Sequence, residues 1–345
     1  MTASRCSVAN PGLLQQQAAT PWRRRRSSMR IRVGFLLAAL CGALASPSAK
    51  AAEMFFVSES GSDQASGETV EHAWATLANA LKRALSMPQA EQVTIAVLPG
   101  EYRDQHIRLK WPSAAPRITV RAFDPASPPS FDGSGKGAWL VVEALDGPRH
   151  LGLTIDGLHI RSYQTAISLN GNGNKEESFL SDGMIANNRF ERIGSRLPGQ
   201  NPSTAAIRLV NARDIIIERN DFISIVNDQK CALLHAIYLA HYSSSNLVDG
   251  NTFRDGCGAT VKVRDDSGSN RIVDNRFEKQ RGKALLLDAF CDLSNRPECA
   301  KQECPSWANL FARNTGDGSA PHVRVTGPDV VPTCPPAGNR VRVAP

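Results

Sequence analysis

The 345-residue sequence predicts an all-β fold, a right-handed parallel β-helix solenoid with an N-terminal capping helix and disulfide-tied C-terminal loops. Three observations predict it. A pattern of apolar-x-x-Asn-x-Phe runs through Ile185, Asn188 and Phe190, then Ile217, Asn220 and Phe222, then Val248, Asn251 and Phe253, then Ile272, Asn275 and Phe277. Each copy has a second stretch of period-two alternation, such as Ala206-Ile207-Arg208-Leu209, Ala236-Ile237-Tyr238-Leu239 and Thr260-Val261-Lys262-Val263. Period two is the mark of a strand with one face in and one out. Clusters of Gly, Asn, Asp and Ser between these stretches supply turn chemistry.

Residues 1–51 read as a leader. They hold eight basic residues and no acidic one, an apolar stretch from Val33 to Leu44, and small-residue cleavage sites at Ala43-Leu44-Ala45 or Ala49-Lys50-Ala51. That is the build of an export signal, with Met29 as a second candidate start, and it predicts a secreted or periplasmic protein. An apolar run of about a dozen residues is too short for a stable membrane span. Without the leader the formal charge of +7 becomes 32 basic against 33 acidic residues, so nucleic acid loses its electrostatic support as a partner.

Residues 52–110 are expected to form an N-terminal strand and a capping helix leading into the first coil. Over residues 73–86, Trp74, Leu77, Ala78, Leu81 and Leu85 fall on one helical face. A solenoid end exposes unpaired edges, so a cap there is a physical requirement. Residues 111–290 are the coils. The repeated Asn positions, continued to Asn314, are separated by 32, 31, 24 and 39 residues. A leucine-rich repeat shares the apolar-x-x-Asn-x-apolar signature, but two strands per repeat and no intervening helical period favour the parallel β-helix. The Asn residues are expected at bends, tolerating a left-handed conformation and bonding to the Asn one coil away, with the Phe residues stacked inside. Residues 291–345 are a cysteine-rich C-terminal coil and loops.

Six cysteines lie beyond the leader, an even number that suits disulfides in an oxidising compartment. Cys231 and Cys257 precede corresponding strands of adjacent coils and are expected to bridge them. Cys291, Cys299, Cys304 and Cys334 are then left to tie down the C-terminal loops. The separations among Cys291, Cys299 and Cys304 do not match the paired spacing of a zinc site.

The chain resembles the pectin-lyase-like, right-handed parallel β-helix superfamily. Besides the repeats, the resemblance rests on Phe55-Phe56-Val57-Ser58, Gly61-Ser62-Asp63, the helix start Ala73-Trp74-Ala75-Thr76-Leu77, and Val97-Leu98-Pro99-Gly100-Glu101-Tyr102. In that superfamily such a segment is a strand, a capping helix and entry into the first coil.

Solenoids of this kind keep their chemistry on an outward column of side chains. Aligning the second strands sends Ser168, Arg208, Tyr238, Lys262 and Leu286 outward in successive coils, with Asn170, Val210, Ala240, Arg264 and Asp288 two residues further along. Coils about 4.8 Å apart make Tyr238 and Lys262 neighbours. His235 and His241 flank the Tyr238 strand. The chemistry this set could serve is β-elimination on a uronate-containing polysaccharide, which needs a cation on the C5 carboxylate, a base for the adjacent proton and an acid for the departing oxygen. Arg208 or Arg264 would neutralise, Lys262 would be the base with its pKa depressed by Arg264 on the same face, and Tyr238 the acid. His235, His241 and Asp288 would contact substrate. The alginate lyase and chondroitinase B branch of the superfamily uses a similar lysine and arginine pairing on neighbouring coils.

Other readings use the same residues. A non-catalytic polysaccharide-binding or assembly protein would hold the glycan without turning it over, and a C5-epimerase would return the proton from the other side. An outward Lys262 or Arg264 would also serve as an ordinary solvated face. Hydrolysis wants two separated carboxylates across the glycosidic bond, whereas Asp265-Asp266 sits in turn composition. Calcium would want convergent carboxylates, and the column offers only Asp288, so calcium has weak support and no other cofactor is called for. The expected partner is an anionic polysaccharide, and the expected state a monomer.

Overall fold

The computed structural model describes residues 52–194, 203–227, 229–289 and 303–345; the leader, Cys291 and Cys299 lie outside them. Among the described residues the chain repeatedly visits three stations, each adding a strand to its own sheet. The first sheet has ten strands, from Ala52–Val57 to Val341–Ala344. The second has eight, from Glu101–Arg103 to Thr315–Gly316, and the third eight, from Ile107–Lys110 to Val323–Thr326. Neighbouring strands in each sheet are parallel and come from successive coils, which makes the fold a parallel β-helix.

The repeat motif straddles two of these stations. Ile217 lies in the strand Ala212–Glu218 of the first sheet, Asn220 makes the bend, and Phe222 occupies the second sheet in the strand Asp221–Ile223. Strands of three residues are too short to display alternation, so the sequence shows two strands per repeat where the structure has three. The residues inside are apolar at the expected positions. Phe190, Phe222, Phe253 and Phe277 stack at centroid separations of 4.9, 4.8 and 5.0 Å, each fully buried. Gly316 takes the next place on that sheet, opposite Phe277, and Phe311 from the first sheet tilts toward the vacated space at 6.1 Å.

The bends are held by a ladder of buried amides. Asn188 donates through Nδ2 to Asn220 Oδ1 at 3.1 Å, Asn220 to Asn251 at 3.0 Å, Asn251 to Asn275 at 3.0 Å and Asn275 to Asn314 at 3.0 Å. Each of these oxygens also accepts the backbone N–H of the preceding Asn, and each amide also donates to a carbonyl of the coil before. The left-handed conformation belongs to the residue before each ladder position, Asn187, Arg219, Gly250, Asp274 and Arg313, so the ladder Asn is retained for its hydrogen bonds. A second ladder, Asn246 to Asn270 to Asn309, lines the bend from the third sheet to the first, beside Ser243 and Ser267.

The helix Leu77–Leu85 packs Leu77, Leu81 and the preceding Trp74 against the first coil, all three buried. Thr76 caps it by accepting from the Asn79 amide, and Asp63 accepts from Ala75 N, Thr76 N and Thr76 Oγ1, which satisfies donors a helix start leaves open. Trp111 and Trp139 are buried core residues. Disulfides join Cys231 to Cys257, ahead of the adjacent strands His235–Ala240 and Val261–Arg264, and Cys304 to Cys334 in the C-terminal segment. None of the described helices is long and apolar enough to cross a membrane.

Candidate site on the third sheet

The third sheet brings the predicted column together. Ser168 pairs with Arg208, Arg208 with Tyr238, and Tyr238 with Lys262, in four consecutive coils. On the next place along, Asn170, Val210, Ala240 and Arg264 share a register. Beyond Lys262 the expected alignment is corrected by one residue. Lys262 pairs with Leu287, not Leu286, and Val263 pairs with Asp288. A one-residue slip exchanges the two faces of a strand. Leu286 and Asp288 therefore point inward. Asp288 is fully buried in an ion pair with Arg340 at 2.9 Å, so it closes the C-terminal coils and cannot meet a glycan.

Tyr238 sits at the centre of the column and is largely covered, at 7% exposure. Its ring stacks on that of His235 at 5.9 Å, and the Lys262 ammonium lies 5.7 Å from its centroid, within cation–π range. The phenolic oxygen accepts from Arg264 Nη1 at 3.2 Å. Arg264 in turn forks onto Glu303, with Nε donating to Oε2 at 2.8 Å and Nη2 to Oε1. Desolvation pulls on this guanidinium, but the bonds to Glu303 and Tyr238 outweigh it and hold its pKa above the ordinary arginine value. Glu303 neutralises Arg264, so the like charge expected to depress Lys262 is largely offset within the pair.

His235 shares the outward face with Tyr238 but is buried beside it. Its Nδ1 donates to the Ala259 carbonyl at 2.6 Å, and desolvation, aided by the charge of Lys262, pushes its pKa down to about 3. Its burial makes it a support for Tyr238, where substrate contact had been expected. Arg208 is oriented by Asn170, whose Oδ1 accepts from Nη1 at 2.7 Å and from Ser168 Oγ at 3.0 Å; partial burial lowers its pKa below the ordinary arginine value.

His241 closes the strand His235–Ala240 at a left-handed turn. Its Nδ1 donates to Asp265 Oδ2 at 2.6 Å, and the other Asp265 oxygen accepts from the Cys304 amide at 2.9 Å. Such a pairing fixes the orientation of the imidazole. Sequence reasoning set Asp265 aside as turn composition and missed Glu303 entirely. Asp265 carried one usable signal, its place one coil after His241; Glu303 carried none, since it arrives from 39 residues beyond Arg264. Among the described residues no three His, Cys, Asp or Glu side chains gather to hold a metal ion.

A family profile described as "Right handed beta helix region" matches residues 144–295. No curated protein matches the sequence. Among solved structures, the catalytic domain of a GH87 alpha-1,3-glucanase in complex with nigerose is similar over 70% of this chain at 15% identity and a TM-score of 0.47. The chain spans 37% of that protein's length. A rhamnogalacturonan lyase is similar over 79% of this chain and 84% of its own, at 10% identity and a TM-score of 0.44. A mannuronic acid specific polysaccharide family 6 lyase from human gut microbiota is similar over 79% and 83%, at 12% identity and a TM-score of 0.25. At such identities the likeness concerns the fold alone.

Proposed function

The chain is a right-handed parallel β-helix protein, and from the groups on its third sheet we propose that it acts on an acidic, uronate-containing polysaccharide by β-elimination after export. The observation that carries this reading is the run Arg208, Tyr238 and Lys262 in three successive coils, with Arg264 donating to the Tyr238 oxygen. Arg208, aimed by Asn170, would neutralise the C5 carboxylate and so acidify the neighbouring C–H. Lys262, in its neutral amine form, would take that proton. Tyr238 would give its proton to the departing O4, and the Arg264 guanidinium would stabilise the negative charge that develops on the phenolic oxygen. Glu303 holds Arg264 in place for that task.

The His241–Asp265 pair favours a second reading, C5-epimerisation, because it offers a further proton-handling group near the same strands. The two reactions share proton abstraction and differ in its sequel, so solvent deuterium at C5 without chain cleavage would identify the epimerase. For elimination, Lys262→Ala and Tyr238→Phe should each lower kcat on a cleaved uronate polymer by about 10²- to 10⁴-fold, the usual worth of a general base or acid. Unchanged turnover in Lys262→Ala would overturn the assignment of the column. A protein that binds the polymer and makes no product would be the non-catalytic alternative.

A further inference from the structure

Immediately beyond Lys262 the outward face opens into a cleft of about 390 Å³. In register, Lys262 is followed by Leu287 and Leu287 by Arg324, and both line this cleft. Its other walls include Arg281 and Lys283, and its floor passes over Gly258 and Gly282. The glycines are there for a reason of space. A Cβ on Gly258 would lie 2.2 Å from the Leu234 carbonyl oxygen, and one on Gly282 1.2 Å from the Gly258 carbonyl oxygen. Neighbouring coils approach so closely that side chains are excluded, and the floor is left as bare backbone. The Cys231–Cys257 disulfide borders the cleft and pins two of the coils that form it.

The charge of the cleft is one-sided. Arg281 leans on Asp255, whereas Lys283 and Arg324 have no carboxylate within ion-pair distance among the described residues, and the lining itself contains no acidic side chain. From Lys262 to Arg324 is two coil steps, roughly 10 Å. A pyranose unit advances a chain by about one coil spacing. A glycan lying along the column with one unit at Lys262 would therefore bring the acidic group of a unit one or two places further on over Lys283 and Arg324.

We propose that this cleft is a second anionic subsite, which takes a carboxylate or sulfate of the same glycan chain away from the reacting unit. The proposal rests on the column reading and adds a length requirement to it: the preferred ligand is a polyanion long enough to span both places. Lys283→Gln with Arg324→Gln leaves the glycine floor, the disulfide and the residues Arg208, Tyr238, Lys262 and Arg264 as they are.

The experiment is calorimetric titration of wild type and the double variant with uronate oligosaccharides of two and of six units, and with sulfated oligosaccharides of the same lengths. The expected result is that the six-unit ligand loses at least about tenfold in affinity in the double variant, a decade per charge-assisted contact being the ordinary scale. The two-unit ligand should be unaffected. The ratio of the carboxylate to the sulfate series then names the anion. If both lengths bind and the double variant alters neither, the subsite is refuted while the column stands. If neither series binds wild type, the column reading fails and the subsite falls with it.

Discussion

Glu303→Gln perturbs the link between the C-terminal segment and the column, and its two consequences have opposite signs. Arg264 and Glu303 form a forked pair with side chains 18% and 6% exposed. Breaking a buried ion pair by removing one partner ordinarily costs about 3–5 kcal/mol, because the other charge is left without compensation. Glutamine keeps one acceptor oxygen for the guanidinium, so the loss here should be nearer 2–3 kcal/mol. At about 2–4 °C per kcal/mol for a domain of this size, the melting temperature should fall by roughly 4–12 °C. The Arg264 charge, no longer neutralised, would meanwhile be available to the acidic polymer proposed to bind this face. Affinity for a uronate polymer should rise roughly three- to tenfold at low salt, and the gain should vanish at high ionic strength. Differential scanning calorimetry and titration at two salt concentrations measure both effects. A variant that melts and binds like wild type would show that Glu303 does not neutralise Arg264, and the electrostatic account of the column would fail with it.

Three further outcomes follow from the fold. Asn251→Ala removes an amide that accepts from the Asn220 amides and donates to Ile217 O and Asn275 Oδ1, all buried, so denaturant melts should show a loss of about 3 kcal/mol or more. The Cys231–Cys257 bridge closes a separation of 26 residues, and replacing both cysteines by serine should cost about 3.5 kcal/mol on the chain-entropy scale, read from the same melts. His235 bears on pH. Its folded pKa, about 3, is below the ordinary value, so below about pH 6.5 the unfolded chain takes up a proton that the folded chain refuses. Stability should therefore fall as pH drops from about 6.5 toward 3, and the difference between wild type and His235→Gln across that window should isolate this contribution; a flat difference would contradict it.

The coils were legible because their constraint repeats. Asn220 and Phe222 must match Asn251 and Phe253 one turn later, and that demand writes itself into the sequence however the intervening loops vary. The Arg208, Tyr238 and Lys262 register followed from the same alternation. Where alternation lapses, legibility lapses too. Ala284-Leu285-Leu286-Leu287 is apolar throughout, so nothing local says which residue follows Lys262, and Asp288 was assigned to the wrong face. Glu303 was invisible for another reason: its partner is chosen by a long excursion of chain whose path no periodicity records. The second ladder, Asn246, Asn270 and Asn309, was hidden because its residues lie in turn-rich stretches where Asn is common anyway.

The proposal that this solenoid face performs β-elimination is tested most directly by incubating the purified chain, freed of residues 1–51, with a panel of alginate, pectate and glycosaminoglycans. Near-ultraviolet-edge absorbance of an unsaturated product is then followed. The account predicts such a product from at least one polyuronate, and its loss in Lys262→Ala. No unsaturated product from any member of the panel would contradict it.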